Sequence, residues 1–244
     1  MRTAKADLQD TLTAGCKPWN NCDADTPEKL TALIEQRKPK YIFFFHWNWI
    51  VPDEIIDNYE CVCFHMTDLP YGRGGSPLQN LILRGHKTTK LTALRMTKEV
   101  DAGPIYCQRE LSLHGTAEQI YTRATCMAEE MMEYVTKTEP KPQEGEVTEF
   151  KRRTPAESRL PPGLSPEQVY DFIRMLDAET YPKAFIHYRG YRIEFQRAVL
   201  EDGKVTAEAV ITEEEDNESI SGVISPGRRG LGMRRHNREA RRRG

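Results

Sequence analysis

Two short apolar runs limit what this chain can fold into. Tyr41-Ile42-Phe43-Phe44-Phe45 and Cys61-Val62-Cys63-Phe64, ending at His65, are continuous rather than alternating, which is the pattern of strands buried on both faces of a parallel sheet. Asp53–Tyr59 leaves room for one short helix between them, so the three pieces read as a β-α-β crossover. The flanks supply more helices. Thr26-Pro27 caps one carrying Leu30, Leu33 and Ile34, stopped at Lys38-Pro39, and Ser76-Pro77 opens another over Leu78–Arg84, closed by Gly85. Thr116 with Gln119 forms a capping box before a stripe of Ile120, Ala124, Met127, Met131 and Val135, whose methionines read as core packing. Lys90–Met96 and Gly103–Arg109 add extended segments, and the fold class is α/β.

A second unit follows. The proline-rich, charged stretch 139–164 reads as an interdomain linker, and Ser165-Pro166 then caps a helix with Val169, Phe172, Ile173 and Leu176 inward. Three strand-like runs, Ala184–Tyr188, Arg192–Leu200 and Val205–Thr212, turn at Arg189-Gly190 and Asp202-Gly203, giving a small α+β module over 165–212. Residues 213–244 begin acidic and end Arg-rich, the composition of a disordered tail. Such a tail invites phosphate contacts, but it reads as plainly solvated, because no aromatic platform accompanies its charges. Residues 1–138 form the larger domain, with no recognisable element in 1–25 and an N-terminal strand expected to be divergent or missing.

The net charge of −2 selects no partner. Six cysteines at 16, 22, 61, 63, 107 and 126 are scattered rather than framing short loops, which fits a reduced, cytoplasmic setting. Cys61-x-Cys63 lacks a second ligand pair, so no metal is expected. No apolar run approaches the roughly 20 residues that span a bilayer, so no membrane partner is expected.

Ligands of open α/β sheets bind outside the carboxyl ends of the strands, which directs attention to the loops His46–Pro52, His65–Pro77 and Thr97–Pro104. His65 has the chemistry to donate to an oxyanion or accept a proton, and Asp101 to orient that imidazole or take the proton of an attacking amine. By pattern alone, His65 reads as a core histidine and Asp101 as a turn residue. Gly72-x-Gly74-Gly75 lacks the P-loop ending and the dinucleotide spacing, and reads as a flexible loop that lets the backbone approach a ligand.

His65-Met66-Thr67-Asp68-Leu69-Pro70-x-x-Arg73-Gly74-x-x-Pro77, followed by Val100-Asp101-Ala102-Gly103-Pro104-Ile105, resembles the core of the folate-dependent formyltransferases, over roughly residues 40–135. Ile173–Asp177 and Tyr181–Phe185 also resemble the start of the C-terminal module of the methionyl-tRNA and aminoarabinose members. The resemblance implies a Rossmann-like catalytic domain, 10-formyltetrahydrofolate as donor, no metal, and attack of a primary amine on the formyl carbon through a tetrahedral oxyanion. It makes His65 and Asp101 the catalytic pair and puts Cys63 where the family has a carbonyl-polarising asparagine, with Asn48 as a candidate substitute donor. By the same resemblance the pterin is held by Trp47, Asn48, Trp49, Ile50 and Val51 and by Thr97, Val100 and Asp101, while Arg73, Gly74 and Gly75 face the acceptor. Lys17-Pro18-Trp19-Asn20 looks closer to sugar-modifying relatives, so a nucleotide-linked amino sugar is the first acceptor expected and methionyl-tRNA the second. A folate- or nucleotide-binding relative with little catalysis is the third reading, and a homodimer is a possible assembly.

Overall fold

The computed structural model describes residues 11–15, 23–179 and 181–213. Lys17–Asn20, most of the Arg-rich tail and two of the six cysteines lie outside the described residues.

The central sheet has five strands in the order β1-β2-β3-β5-β6. They are β1 (Thr11–Gly15), β2 (Tyr41–Phe45), β3 (Glu60–His65), β5 (Thr88–Arg95) and β6 (Ile105–Ser112). β1, β2 and β3 are parallel, and α2 (Asp53–Asn58) makes the crossover expected between β2 and β3. β2 is covered on both faces. Ile42 and Phe44 join a core with Leu12, Leu30, Ile34, Val51 and Ile55 under α1 (Pro27–Arg37) and α2, while Phe43 and Phe45 join the larger core under α3 (Pro77–Leu83) and α4 (Ala117–Val135).

Two sequence expectations change here. The first strand is present: Thr11-Leu12-Thr13-Ala14-Gly15 pairs in register with Tyr41–Phe45. It has one bulky apolar side chain, Leu12, and is held in part by Asp23, whose carboxylate accepts from the amide and hydroxyl of Thr13 at 3.0 and 3.1 Å. Burial opposes ionisation of Asp23, yet these donors and the Arg37 guanidinium hold its carboxyl below its ordinary range. The sheet is also mixed. β5 runs antiparallel to β3, with Val62 opposite Arg95 and His65 opposite Thr92, and β6 returns antiparallel to β5.

The stretch 139–164 is an ordered strap. Lys141 bridges to Ile105, β7 (Thr148–Phe150) pairs in parallel with β4 (Tyr71–Gly74), and a short 3-10 helix covers Pro155–Ser158. The second unit consists of α5 (Pro166–Arg174) and a meander of β8 (Ala184–Tyr188), β9 (Tyr191–Glu201) and β10 (Lys204–Glu213). β10 thus takes in Glu213, the first residue of the expected tail. The module shares the larger core through Phe172, Ile173, Met175, Leu176 and Ala184. Buried Arg174 fastens the seam, donating to Leu113 O at 2.7 Å and Gly115 O at 2.9 Å while its Nε pairs with Asp171.

Candidate active site

A cavity of about 860 Å³ opens between the sheet, the strap and the module. That is within the roughly 300–1,000 Å³ of small-molecule sites. Three sequence-predicted segments reach it. Trp47–Val51 leave β2 and turn into α2, Cys63 and His65 come from β3, and Thr97, Val100 and Asp101 come from the loop after β5. The third arrives by an unexpected route. Because β5 is antiparallel, its carboxyl end lies beside Cys61, where Met96 N–H donates to Cys61 O at 2.7 Å, and the loop folds back to bring Asp101 to His65.

The geometry around His65 fixes its two nitrogens differently. Nε2 lies 2.8 Å from the carbonyl of Gly72, which can only accept, so Nε2 carries a proton. Nδ1 faces Asp101 Oδ2 at 3.5 Å. The same Oδ2 accepts from Gly74 N–H at 2.8 Å. Asp101 adopts a left-handed backbone, φ 53°, and Gly103 beyond it is so close to Arg95 that a Cβ would meet the Arg95 carbonyl oxygen at 1.8 Å. Only glycine fits there.

Cys63 lines the same cavity. Burial, with the charge of Asp101 added, pushes its thiol well above the ordinary range, so it is a neutral S–H and a weak donor. Asn48 also lines the cavity and is exposed, as is most of Ile50, which is 94% accessible. Trp47 meets Phe44 and Trp49 edge to face, at centroid distances of 5.6 and 4.8 Å.

Arg73 does not line the cavity. Its guanidinium is turned to the strap, donating to Gln143 Oε1 from Nε and Nη2 at 3.2 and 2.9 Å and to Glu99 at 3.3 Å. Gly74 and Gly75 do border the cavity, but the close approach they permit is to the strap: an added Cβ would lie 2.5 Å from Phe150 O and 2.4 Å from Arg152 Cβ. The glycine stretch is therefore a strand and turn held against the strap rather than a flexible loop. The strap itself contributes Arg152, Arg153, Thr154 and Pro155 to the wall opposite the sheet, and the module adds Tyr181 and Pro182. The strap residues were hidden in a proline-rich stretch with no local periodicity, where the Lys151-Arg152-Arg153 run was a distinctive signal.

Residues 5–136 match the formyl transferase family model, and residues 155–212 match the model of the methionyl-tRNA formyltransferase C-terminal domain. The chain belongs to the formyl transferase family. A solved structure of methionyl-tRNA formyltransferase from Clostridium thermocellum is 43% identical, superposes with a TM-score of 0.77, and is matched over 83% of this chain and 98% of that one. The methionyl-tRNA formyltransferase of Thermodesulfovibrio yellowstonii is 25% identical over 218 residues, 85% of this chain and 68% of the relative. The bifunctional polymyxin resistance protein ArnA of Wigglesworthia glossinidia is 30% identical over 166 residues, 62% of this chain and 25% of that protein. Further methionyl-tRNA formyltransferases are spanned over 60 or 61% of their length.

Family chemistry is folate-dependent formyl transfer from formyltetrahydrofolate. The cavity lining fits such a group. Trp47, Trp49, Val51, Leu94 and Met96 offer flat and apolar surface, and the buried Trp47 Nε1 has no hydrogen-bond partner among the described residues, a donor that a heteroaromatic ring with acceptor atoms satisfies. Among the described residues, no helix is long and apolar enough to cross a membrane.

Proposed function

We propose that this protein transfers the formyl group of 10-formyltetrahydrofolate to the amine of methionyl-tRNA. The observation that carries the reading is the His65–Asp101 pair, 3.5 Å apart on the wall of a folate-sized cavity. The acceptor follows from the match of residues 155–212 to the methionyl-tRNA formyltransferase C-terminal domain and from the 43% identity with the Clostridium enzyme. This reverses the order of the two acceptors expected from sequence. A nucleotide-linked amino sugar is the second reading, favoured by the similarity to ArnA.

When bound, the donor supplies an activated formyl carbonyl with tetrahydrofolate as leaving group. The chain's own residues handle the proton and the charge. An amine that becomes an amide must lose a proton, and Asp101 Oδ2 with His65 Nδ1 is the pair placed to hold it. The Gly72 carbonyl keeps the ring in one orientation by occupying Nε2, so Nδ1 is the nitrogen left for exchange. Cys63 takes the position of the family's amide with a weaker donor, an S–H, and His65 becomes a second donor toward a developing oxyanion only after Nδ1 has taken up a proton.

The acceptor is tested by supplying 10-formyltetrahydrofolate with either methionyl-tRNA or a nucleotide-linked amino sugar. The expected result is formyl-methionyl-tRNA, with no turnover of the sugar; turnover of the sugar alone moves the assignment to the second reading.

A further inference from the structure

The strap reaches into the Asp101 turn through one side chain. Gln143 is half-buried between exposed neighbours. Its Nε2 donates to both Asp101 O and Gly103 O at 2.8 Å, and its Oε1 accepts twice from Arg73. The partners leave no ambiguity in the amide's orientation, since carbonyls can only accept and a guanidinium can only donate. All four of its hydrogen bonds, two donated and two accepted, therefore serve one task. The turn it holds needs support: Asp101 sits at φ 53°, a left-handed backbone that is strained for a non-glycine residue, and Gly103 is wedged against Arg95.

We propose that Gln143 is a positioning residue for Asp101, with Arg73 orienting its carboxamide. Two independent holds then fix the aspartate: Gly74 N–H grips the carboxylate, and Gln143 grips the main chain that carries it. Together they aim Oδ2 at His65 Nδ1. Arg73, expected from sequence to face the acceptor, acts one step further back. The segment joining the two units thus completes the site as well as linking them. This inference rests on the formyl transfer reading only for its kinetic consequence.

Gln143→Met keeps the side chain's length and removes every hydrogen bond. In the ligand-free protein, the imidazole ¹⁵N signal of His65 Nδ1 is expected to move while that of Nε2, held by Gly72, stays in place. With donor and acceptor present, kcat is expected to fall about tenfold to a hundredfold, the cost of roughly 1 Å of misplacement, with KM for the acceptor within about threefold. Arg73→Ala is expected to shift Nδ1 in the same direction by less, and serves if Gln143→Met does not fold. In the double variant the Nδ1 shift should match that of Gln143→Met alone. An unmoved Nδ1 signal, a loss confined to KM, or kcat within twofold of the parent overturns the role of Gln143. Absence of turnover in the parent protein overturns the functional reading instead, and leaves the His65 signal to decide this one.

Discussion

Asp101 Oδ2 lies 3.5 Å from His65 Nδ1, although His65 ends β3 and the loop carrying Asp101 leaves the adjacent antiparallel β5 at the opposite end of the strands. What closes that gap is the fold-back of residues 96–101, fixed by Gly74, Gly103 and the strap.

Gly74 is the most exposed to test in that arrangement. At φ 100° with Phe150 O against it, Gly74→Ala is expected to lose at least the roughly 1–3 kcal/mol of backbone strain and to loosen the Asp101 carboxylate, so stability and kcat fall together. Gly85, at φ 81° with open space around it, gives the contrast: Gly85→Ala should cost about 1 kcal/mol and leave kcat unchanged. Denaturant midpoints and initial rates on the two variants check both halves.

Thiol chemistry reads out the state of Cys63. Burial and the neighbouring Asp101 keep it protonated, and burial pushes Cys61 up to about 12, whereas Cys126 is exposed. Peptide-resolved iodoacetamide labelling at pH 8 should modify Cys126 promptly and leave Cys61 and Cys63 unmodified until the protein is unfolded. Prompt labelling of Cys63 in the folded protein contradicts this.

Stability should fall on acidification through His46. Burial lowers its pKa from 6.5 to about 4, so the folded protein holds it neutral while the unfolded chain takes up a proton below about 6.5. The unfolded state then binds more protons, and stability present above pH 6.5 drains away as pH falls toward 4, by about 3 kcal/mol across the window. His46→Gln retains a partner for Thr125 and lacks the titration, so the gap in urea midpoint between parent and variant should change by that order between pH 7 and pH 4.5.

Arg174 ties the module to the larger domain through two carbonyls, and its loss leaves the buried one of Leu113 and the half-buried one of Gly115 without this donor. Arg174→Ala should cost about 3 kcal/mol, seen as a lower melting temperature.

By local pattern alone, His65 and Asp101 had ordinary readings. Much of the candidate site was legible because its parts are contiguous motifs that carry the family resemblance: the β3 histidine with its glycine stretch, the Asp101 turn and the tryptophan loop. Three things were not. β1 carries a single bulky apolar residue, and part of what holds it, beside its pairing with β2, is Asp23, a partner eight residues beyond the strand's end. Arg73 looked like a ligand contact because its true partner, Gln143, lies 70 positions away. The strap's prolines and charges suggested a linker, since its order comes from pairing with β4 and Ile105 and not from any periodicity of its own.

If formyl transfer runs as proposed, the Asp101–His65 pair performs its proton work. Single-turnover formyl transfer to methionyl-tRNA, measured beside tetrahydrofolate affinity in Asp101→Asn, His65→Ala and the parent, tests it most directly. A loss of rate of about 10²–10⁴-fold is expected in each variant, with tetrahydrofolate bound by His65→Ala as by the parent. Transfer within twofold of the parent in either variant contradicts it.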